Sequence, residues 1–175
     1  MPEVTLERVG AAAVVTIDRP ERRNALDREA VEDLLAAVTG AAEATRALVL
    51  TGAGGHFCAG ADLSGVEDAE FSRRLRLLLE GLRTAPYLTM AAADGAALGA
   101  GTQLAVACDL RVATPGASFG IPAAKLGLAV DAWTVQRVAL LAGHGPARAM
   151  LLAAEVLSGE DALRLGLVQR AGTLD

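Results

Sequence analysis

The amino-acid sequence predicts an α/β domain in which parallel strands are joined by right-handed crossovers. The main observation is that short apolar runs of strand length alternate with longer segments whose apolar residues recur at helical spacing. The 175 residues are 53% apolar with a formal net charge of −5, which excludes disorder and allows a real core. Only 3% of the residues are aromatic, so that core is aliphatic. No linker or internal repeat is visible, and residues 1–175 are interpreted as one domain.

The first half of the chain is predicted to form a hairpin, then two helices with a buried strand between them. Val4–Val9 and Ala13–Ile17 have the pattern of paired hairpin strands. Apolar residues at helical spacing predict a helix over residues 27–43, and the all-apolar Ala47–Leu50 predicts a strand buried on both faces. A second amphipathic helix is marked by an apolar stripe of Phe71, Leu75, Leu78, Leu79 and Leu82.

The second half continues the alternation and then becomes helical. Leu88–Ala93 and Leu110–Ala113 are predicted strands, and Leu98–Ala107 between them is predicted to be a helix of small residues. Three further helices are predicted. One covers Ala132–Leu141, one starts at Gly145-Pro146, and the last starts at a capping box at Ser158 and ends at Gly166.

Charge, cysteine use and hydropathy argue against several classes of protein. A negative net charge without a basic run argues against nucleic-acid binding. The two cysteines, Cys58 and Cys108, are too few for a disulfide framework. Together with His56 and His144 they do not have the spacing of a zinc site, so no metal is expected. The N-terminus lacks a signal-peptide pattern, and the most apolar stretch, Met90–Ala107, holds Ala and Gly rather than Leu and Ile. The sequence therefore favours a cytoplasmic protein without a membrane span.

Glycines cluster in two segments that each follow a predicted strand, Thr51–Leu63 and Asp94–Gln103. The first segment lacks the third glycine of a dinucleotide-binding fingerprint, and no P-loop lysine motif is present. Two facing glycine-rich turns can leave backbone N–H groups free to stabilise an oxygen that gains negative charge, as an oxyanion hole does. The residues alone also allow two tight turns that merely permit close packing.

Motifs spread in order over nearly the whole chain make the assignment more specific. They are Arg19-Pro-x-x-x-Asn-Ala-Leu26, Phe57-Cys-Ala-Gly-Ala-Asp-Leu63, Asp94-Gly-x-Ala-Leu-Gly-x-Gly101, Cys108-Asp-Leu-Arg111, Phe119-Gly-x-Pro122, Gln136-Arg137 and Ala162-Leu-x-x-Gly-Leu-Val168. Together they resemble the crotonase (enoyl-CoA hydratase/isomerase) superfamily. The resemblance implies a spiral of ββα turns, a coenzyme A thioester as ligand with no covalently bound cofactor, and assembly as homotrimers or hexamers. It also implies an oxyanion hole made by the backbone amides of Ala61 and Ala100.

The acid and base of a hydratase are missing from the positions where the resemblance implies them. Hydratases of this family use two glutamates, and their positions match Gln103, which cannot titrate, and Ala123, which has no functional group. Asp131 matches a position where related isomerases carry an acid/base aspartate. The same residue precedes a predicted helix and could be its N-cap. The oxygens of a capping carboxylate accept hydrogen bonds from backbone amides, which opposes a role as general acid.

The resemblance also implies which residues contact the ligand. Arg22 and Arg23 fall in the segment that lines the coenzyme A nucleotide, and arginine suits phosphate, although a solvated arginine pair is the alternative. Trp133 falls near the thioester, where it would wall the acyl pocket together with Leu98, or else be an ordinary core tryptophan. The remaining predicted ligand-binding residues are Ala59, Gly60, Asp62, Leu63 and Gly99.

Three functions follow from these observations. The first is binding of fatty acyl-CoA thioesters without hydratase activity, as in a resembling actinobacterial subgroup that lacks both glutamates and carries the segment Asp131-Ala-Trp133. The second is an active enoyl- or dienoyl-CoA isomerase that uses Asp131, and the third is a structural subunit without a ligand. The resemblance ends near the last residue, and members of the family continue for roughly another half-domain, so a truncated C-terminal helical lid is expected.

Overall fold

The computed structural model describes residues 3–41, 45–62 and 69–173. Its larger sheet runs in the order β1-β2-β3-β4-β6-β9, where β1 pairs antiparallel with β2 and every later pair is parallel. These strands are β1 (Val4–Val9), β2 (Ala12–Ile17), β3 (Ala47–Gly52), β4 (Leu88–Ala93), β6 (Leu110–Ala113) and β9 (Arg170–Ala171). The central strands bury small and branched aliphatic residues, as the all-apolar runs in the sequence predict.

A second, smaller sheet joins three short strands in the order β5-β7-β8. They are β5 (Ala96–Leu98), β7 (Ser118–Gly120) and β8 (Val156–Ser158). Two isolated parallel bridges extend this layer backwards along the chain, from Ala97 to Cys58 and from Ala61 to Leu26.

The helices are α1 (Arg28–Gly40), α2 (Ala69–Arg83), α3 (Ala100–Ala107), α4 (Ala132–Ala142), α5 (His144–Leu152) and α6 (Gly159–Arg164). Three of the described helices, α1, α4 and α6, begin after a residue whose side chain accepts a hydrogen bond from a free amide of the first turn. Asp27 accepts a hydrogen bond from the Ala30 amide, Asp131 from that of Thr134, and Ser158 from that of Asp161. Within the described ranges, no helix is long and apolar enough to cross a membrane.

The chain forms a spiral in which each turn gives one strand to the larger sheet and a shorter piece to the smaller layer. After β2 the chain passes Leu26, after β3 it passes Cys58–Ala61, after β4 it forms β5, and after β6 it forms β7. The spiral of ββα turns expected from the resemblance is thus the observed fold. Because successive turns stack in register, the segments that follow the short pieces come together on one side of the molecule.

Some elements differ from the sequence prediction. The predicted helix over Leu98–Ala107 is wrong at its start, because Leu98 ends β5 and the positive φ of Gly99 (54°) breaks the chain direction before α3 begins at Ala100. The strands of the smaller sheet and β9 were not predicted, since two or three residues are too few to show a periodicity. The helix predicted over residues 27–43 ends at Gly40, and residues 42–44 lie outside the described residues.

The two arginines beside the C-terminal end of α3 satisfy its carbonyl groups. Arg111 is almost wholly buried, and its guanidinium donates to the carbonyls of Cys108 (2.7 Å) and Leu167 (2.6 Å). Arg137, from α4, donates to the carbonyl of Val106 at 2.8 Å. Arg111 thereby ties the segment before β9 to the end of α3, which is itself buried along its whole length.

Candidate functional site

The main cavity, of about 940 Å³, opens on the side where the loops after the short strands meet. Its walls come from four consecutive turns of the spiral, in the segments 22–25, 59–62, 99–103 and 121–131, and from one face of α2. Most of the predicted site residues lie in these segments, although they are distant in sequence. The spiral, rather than any local motif, brings them together.

Two backbone amides at this cavity have no acceptor among the described residues. Leu26 pairs with both neighbours of Ala61, by accepting from the Asp62 amide (2.7 Å) and donating to the Gly60 carbonyl (2.8 Å). In this parallel pairing the amide of Ala61 itself points away from Leu26. Ala100 is the first residue of α3, whose opening amides have no intrahelical partner. Within residues 3–41, 45–62 and 69–173, neither amide donates to a protein group, and both residues line the cavity.

Glycines allow the two amide-bearing loops to approach each other. Gly60 has φ +117°, and a Cβ at that position would lie only 3.1 Å from the carbonyl oxygen of Leu98. Gly99 has φ +54°, and a Cβ there would lie 3.7 Å from the Cα of Gly60. A side chain at Gly60 would therefore need both an unfavourable backbone conformation and a tight contact. The close approach leaves the amides of Ala61 and Ala100 on facing walls of one cavity.

Gln103 lies one turn after Ala100 on α3 and takes part in a directed hydrogen-bond network. Its Nε2 donates to Thr134 Oγ1 at 2.8 Å and is 3.4 Å from Asp131 Oδ2. Asp131 accepts from the amide of Thr134 at 3.1 Å and from the hydroxyl of Thr134 at 2.8 Å. Asp131 is thus the N-cap of α4 and also lines the cavity. Its position is therefore compatible with both interpretations of the sequence, the helix cap and the acid/base.

The opposite wall is apolar at the second predicted acid/base position. Ala123 lies in a short 3₁₀ turn, Pro122–Leu126, that follows β7, and its carbonyl accepts from the Leu128 amide at 3.0 Å. Ile121, Leu126 and Val130 line the same region. Among the described residues that line the cavity, the carboxylates are Asp62 and Asp131.

Arginines stand at the mouth of the cavity. Arg22 pairs with Asp62, with Nη1 2.6 Å from Oδ2, and this ion pair joins the first and second turns of the spiral. Arg23 and Arg76 are exposed and also line the cavity. Three guanidinium groups with two carboxylates give this opening an excess of positive charge, which suits an anionic ligand.

The other predicted ligand-binding residues are placed as follows. Ala59, Gly60 and Gly99 line the cavity, whereas Leu63 lies outside the described residues. Leu98 contributes its carbonyl to the contact with Gly60 but does not line the cavity. Trp133 lines a second cleft of about 330 Å³ that shares Arg76, Leu79 and Asp131 with the main cavity.

The buried thiol next to the site is not suited to nucleophilic chemistry. Cys58 lies directly before Ala59, and burial raises the pKa of its thiol to about 12. Since the thiolate is the nucleophile, a neutral thiol at physiological pH is unreactive. Across the described residues, no three His, Cys, Asp or Glu side chains are grouped so that they could hold a metal ion.

Sequence reasoning missed two contributions to the site. One face of α2 supplies Phe71, Leu75 and Leu79 to the cavity wall, whereas their spacing in the sequence predicts only the apolar stripe of an amphipathic helix. Thr134, the partner of Gln103, was not singled out because a buried threonine in a helix carries no motif. The width of the apolar face of α2 is the sequence signal that could have indicated its place in the cavity wall.

Comparison with known proteins places this geometry among relatives. The family model described as enoyl-CoA hydratase/isomerase matches residues 7–174. The Mycobacterium bovis protein named "Probable enoyl-CoA hydratase echA6" is 51% identical over 168 residues, which cover 94% of this chain and 69% of that protein. "Crotonyl-CoA hydratase" of Syntrophomonas wolfei is 35% identical over 176 residues, with coverage of 95% and 68%.

Solved structures agree with the same comparison. DspI of Pseudomonas aeruginosa superposes with a TM-score of 0.92 at 35% identity, covering 98% of this chain and 74% of that one. An enoyl-CoA hydratase/carnithine racemase from Magnetospirillum magneticum gives a TM-score of 0.91 at 29% identity, covering 98% and 68%. The spiral architecture and the order of its elements are therefore shared with these proteins.

Proposed function

This chain belongs to the enoyl-CoA hydratase/isomerase family, and from that premise we propose that it binds fatty acyl-CoA thioesters without catalysing their hydration at a normal enzymatic rate. The observation that carries the proposal is that the amides of Ala61 and Ala100 have no acceptor among the described residues, in a cavity where Gln103 and Ala123 occupy the two glutamate positions. The thioester carbonyl oxygen would accept from both amides. Arg22 and Arg23 at the mouth would contact the phosphates of coenzyme A.

The absence of hydration follows from the groups that face the bound acyl chain. Hydration needs one group that deprotonates water and one that protonates the carbon next to the carbonyl. Gln103 can hold a water molecule but cannot remove its proton, and Ala123 can do neither. Each lost proton-transfer group lowers the rate by about 10²–10⁴-fold, so the amides alone would polarise the thioester without completing the reaction.

An isomerase that uses Asp131 is the second candidate, because this carboxylate lines the cavity. Both of its oxygens already accept hydrogen bonds, Oδ1 from the Thr134 amide and Oδ2 from the Thr134 hydroxyl. Taking a proton from substrate would remove the negative charge that strengthens both of these hydrogen bonds of the α4 cap. This cost favours the capping role over the catalytic one.

Calorimetry and a turnover assay on the purified chain separate these functions. We expect heat on titration with butyryl-CoA and with crotonyl-CoA, and no hydration of crotonyl-CoA above the background rate. Isomerisation of a 3-enoyl-CoA that disappears in Asp131→Asn would establish the second candidate instead. No heat with either thioester would leave the ligand-free structural subunit, and rapid hydration that Asp131→Asn does not change would contradict our account of the missing glutamates.

Assembly and location also belong to this proposal. Leu140 on α4 and Leu152 on α5 are 76% and 68% exposed, and these apolar side chains would suit a face covered by another subunit. We expect a homotrimer or hexamer in the cytoplasm. Light scattering coupled to size-exclusion chromatography measures the mass directly, and a monomer at micromolar concentration would contradict the expected assembly.

A further inference from the structure

The two loops that bear the cavity amides are tied together by a short parallel ladder. Cys58 makes both bonds of a regular parallel pair, because its amide donates to the Ala96 carbonyl at 2.8 Å and its carbonyl accepts from the Leu98 amide at 2.9 Å. In a regular ladder the same pattern repeats two residues earlier on each strand. The carbonyl of His56 would then accept from the Ala96 amide.

The ladder does not continue in this way at His56. The amide that donates to the Asp94 carbonyl is that of Phe57, at 2.7 Å, so the pairing slips by one residue. The His56 carbonyl instead accepts from Asn24 Nδ2 at 2.6 Å, in the preceding turn of the spiral. The main-chain oxygen of His56 is thus used on the other side, and the Ala96 amide needs a different acceptor.

The imidazole ring of His56 supplies that acceptor. Its Nδ1 accepts from the Ala96 amide at 3.2 Å, in place of the main-chain oxygen. Gly95 permits this contact, since its φ is +49° and a Cβ there would lie 2.7 Å from Nδ1 and 2.1 Å from the Gly55 carbonyl oxygen. A ring nitrogen that accepts from an N–H cannot itself carry a proton, so this hydrogen bond assigns the tautomer with the proton on Nε2.

The register set at this contact decides how the two cavity amides stand relative to each other. Ala61 follows His56 by five residues, and Ala100 follows Ala96 by four. Beyond the ladder, no main-chain hydrogen bond among the described residues joins the two loops directly. The separation of the two amides therefore depends on the few bonds of the ladder, and the one from Ala96 to the ring is the only one of these that a side chain completes.

We propose that His56 is a positioning residue for the amides of Ala61 and Ala100, and that it acts through Nδ1 as the acceptor for the Ala96 amide. This role rests on the acyl-CoA binding proposed above. Ala96 is 8% exposed, so without the ring its N–H is left unpaired, which is costly, unless the start of β5 moves out of the ladder. Such a shift changes the distances and angles at which the two amides meet a carbonyl oxygen. The hold on the thioester carbonyl then weakens while the rest of the ligand stays bound.

The test compares two ligands that differ only in the carbonyl oxygen, butyryl-CoA and its thioether analogue butyl-CoA, by calorimetry on the full chain. Two amide hydrogen bonds predict that wild type binds the thioester about tenfold or more tightly than the thioether. The measured quantity is the ratio of the two dissociation constants within each variant. A general loss of structure weakens the binding of both ligands and leaves the ratio unchanged.

Two replacements of similar size separate the acceptor from the rest of the ring. His56→Asn places an amide oxygen where Nδ1 now lies, so its ratio should stay within about twofold of the wild-type ratio. His56→Leu has the same branching at Cγ but no acceptor, and its ratio should fall about fivefold or more. Recovery in His56→Asn is a result that packing of the ring alone does not predict.

Nitrogen NMR of the histidine side chains tests the hydrogen bond in the wild-type chain, and His56→Asn assigns the signals by removing them. We expect the proton on Nε2. A proton on Nδ1 would overturn the role of His56, whether or not a variant folds.

The binding outcomes separate this role from the proposed function. A wild-type ratio in His56→Leu, or an equal fall in His56→Asn, contradicts the positioning role while acyl-CoA binding stands. A wild-type chain that binds thioester and thioether equally well does not hold the carbonyl oxygen by its amides, and the role of His56 falls with that result. If wild type binds neither ligand, acyl-CoA binding itself is wrong and the positioning role is overturned with it.

Discussion

The two ends of α3 are built on opposite principles. At its N-terminus the helix begins after Gly99 without a side-chain cap, and the Ala100 amide has no acceptor among the described residues. At its C-terminus the carbonyls of Val106 and Cys108 accept from Arg137 and Arg111. The N-terminal end leaves an amide free at the cavity, whereas the carbonyls at the C-terminal end accept hydrogen bonds from two cations.

Stability and ligand binding are therefore expected to depend on opposite ends of this helix. Polar groups that are buried without partners cost free energy, so the rest of the helix must hold the free amides in place. Cations near the carbonyl end also complement the helix dipole, whose positive end faces the cavity. We therefore expect loss of an arginine side chain at the C-terminal end to change the free energy of unfolding, and loss of the Ala100 amide at the N-terminal end to change ligand affinity.

The largest expected effect is that of Arg111→Met. The substitution leaves the carbonyls of Cys108 and Leu167 without their donor in a site that water does not reach, and we expect a loss of about 3 kcal/mol or more in the free energy of unfolding. Burial lowers the pKa of Arg111 to about 10, so the guanidinium is still charged at neutral pH. Urea denaturation measures the loss. Arg137→Met, at a more exposed cation, should cost clearly less, and equal losses would contradict the assigned difference.

A smaller effect is expected for Gly99→Ala. An alanine would have to adopt φ 54° and ψ −116°, which L residues rarely do, at a cost of about 1–3 kcal/mol. Its Cβ would make an ordinary contact of 3.7 Å with Gly60 Cα, so strain rather than collision is the cause. Thermal unfolding of this variant beside Gly40→Ala, at a helix end without close neighbours, should show the difference. Equal melting temperatures would mean that the turn relaxes.

Next comes Ala100→Pro, which removes the amide but keeps a residue suited to the first position of a helix. We expect binding of acyl-CoA to weaken about fivefold to tenfold, the value of one neutral hydrogen bond, with a small change in melting temperature. Ala100→Gly, which retains the amide, is the matched control and should bind nearly as wild type does. If the proline variant binds equally well, the Ala100 amide does not hold the carbonyl oxygen.

The smallest expected difference is that between the two thiols, one near each end of α3. Cys58 packs against the first turn, where its carbonyl would lie 2.1 Å from a Cβ on Gly101, and Cys108 follows the last turn. Burial raises both pKa values to about 12, so at pH 9 each folded thiol should react with iodoacetamide roughly 10²–10³-fold more slowly than in urea. The two rates should agree within about threefold, because both thiols are fully buried and burial raises both pKa values to the same degree. Mass spectrometry of digested peptides reads each site, and rapid reaction of Cys58 alone would show a locally loose N-terminal end.

The larger sheet was predictable because its strands are long enough to show a pattern. Ala47–Gly52 and Leu88–Ala93 each hold an apolar run between turn signals, and the structure places both in the middle of the sheet. The smaller sheet was not, because Ala96–Leu98 and Ser118–Gly120 have three residues each and owe their pairing to the spiral. Tertiary context, rather than local propensity, decided those elements.

The candidate site was predictable to a different extent. Facing glycine turns followed from the residues, whereas the amides of Ala61 and Ala100 were indicated only by the family resemblance. The contact of Gln103 with Thr134 joins residues 31 apart in the chain, and no spacing rule predicts such a contact. Asp131 could be anticipated as a helix cap because its place before an amphipathic segment is a local signal.

The proposed use of backbone amides rather than side chains to hold the carbonyl oxygen has a consequence for how this site can change over time. A carboxylate is lost by a single codon change, and the positions of Gln103 and Ala123 hold residues that cannot replace one. A main-chain N–H, by contrast, is present in every residue except proline. The capacity to grip a carbonyl oxygen is therefore hard to erase by drift, and such a fold can lose its reaction while it keeps its ligand.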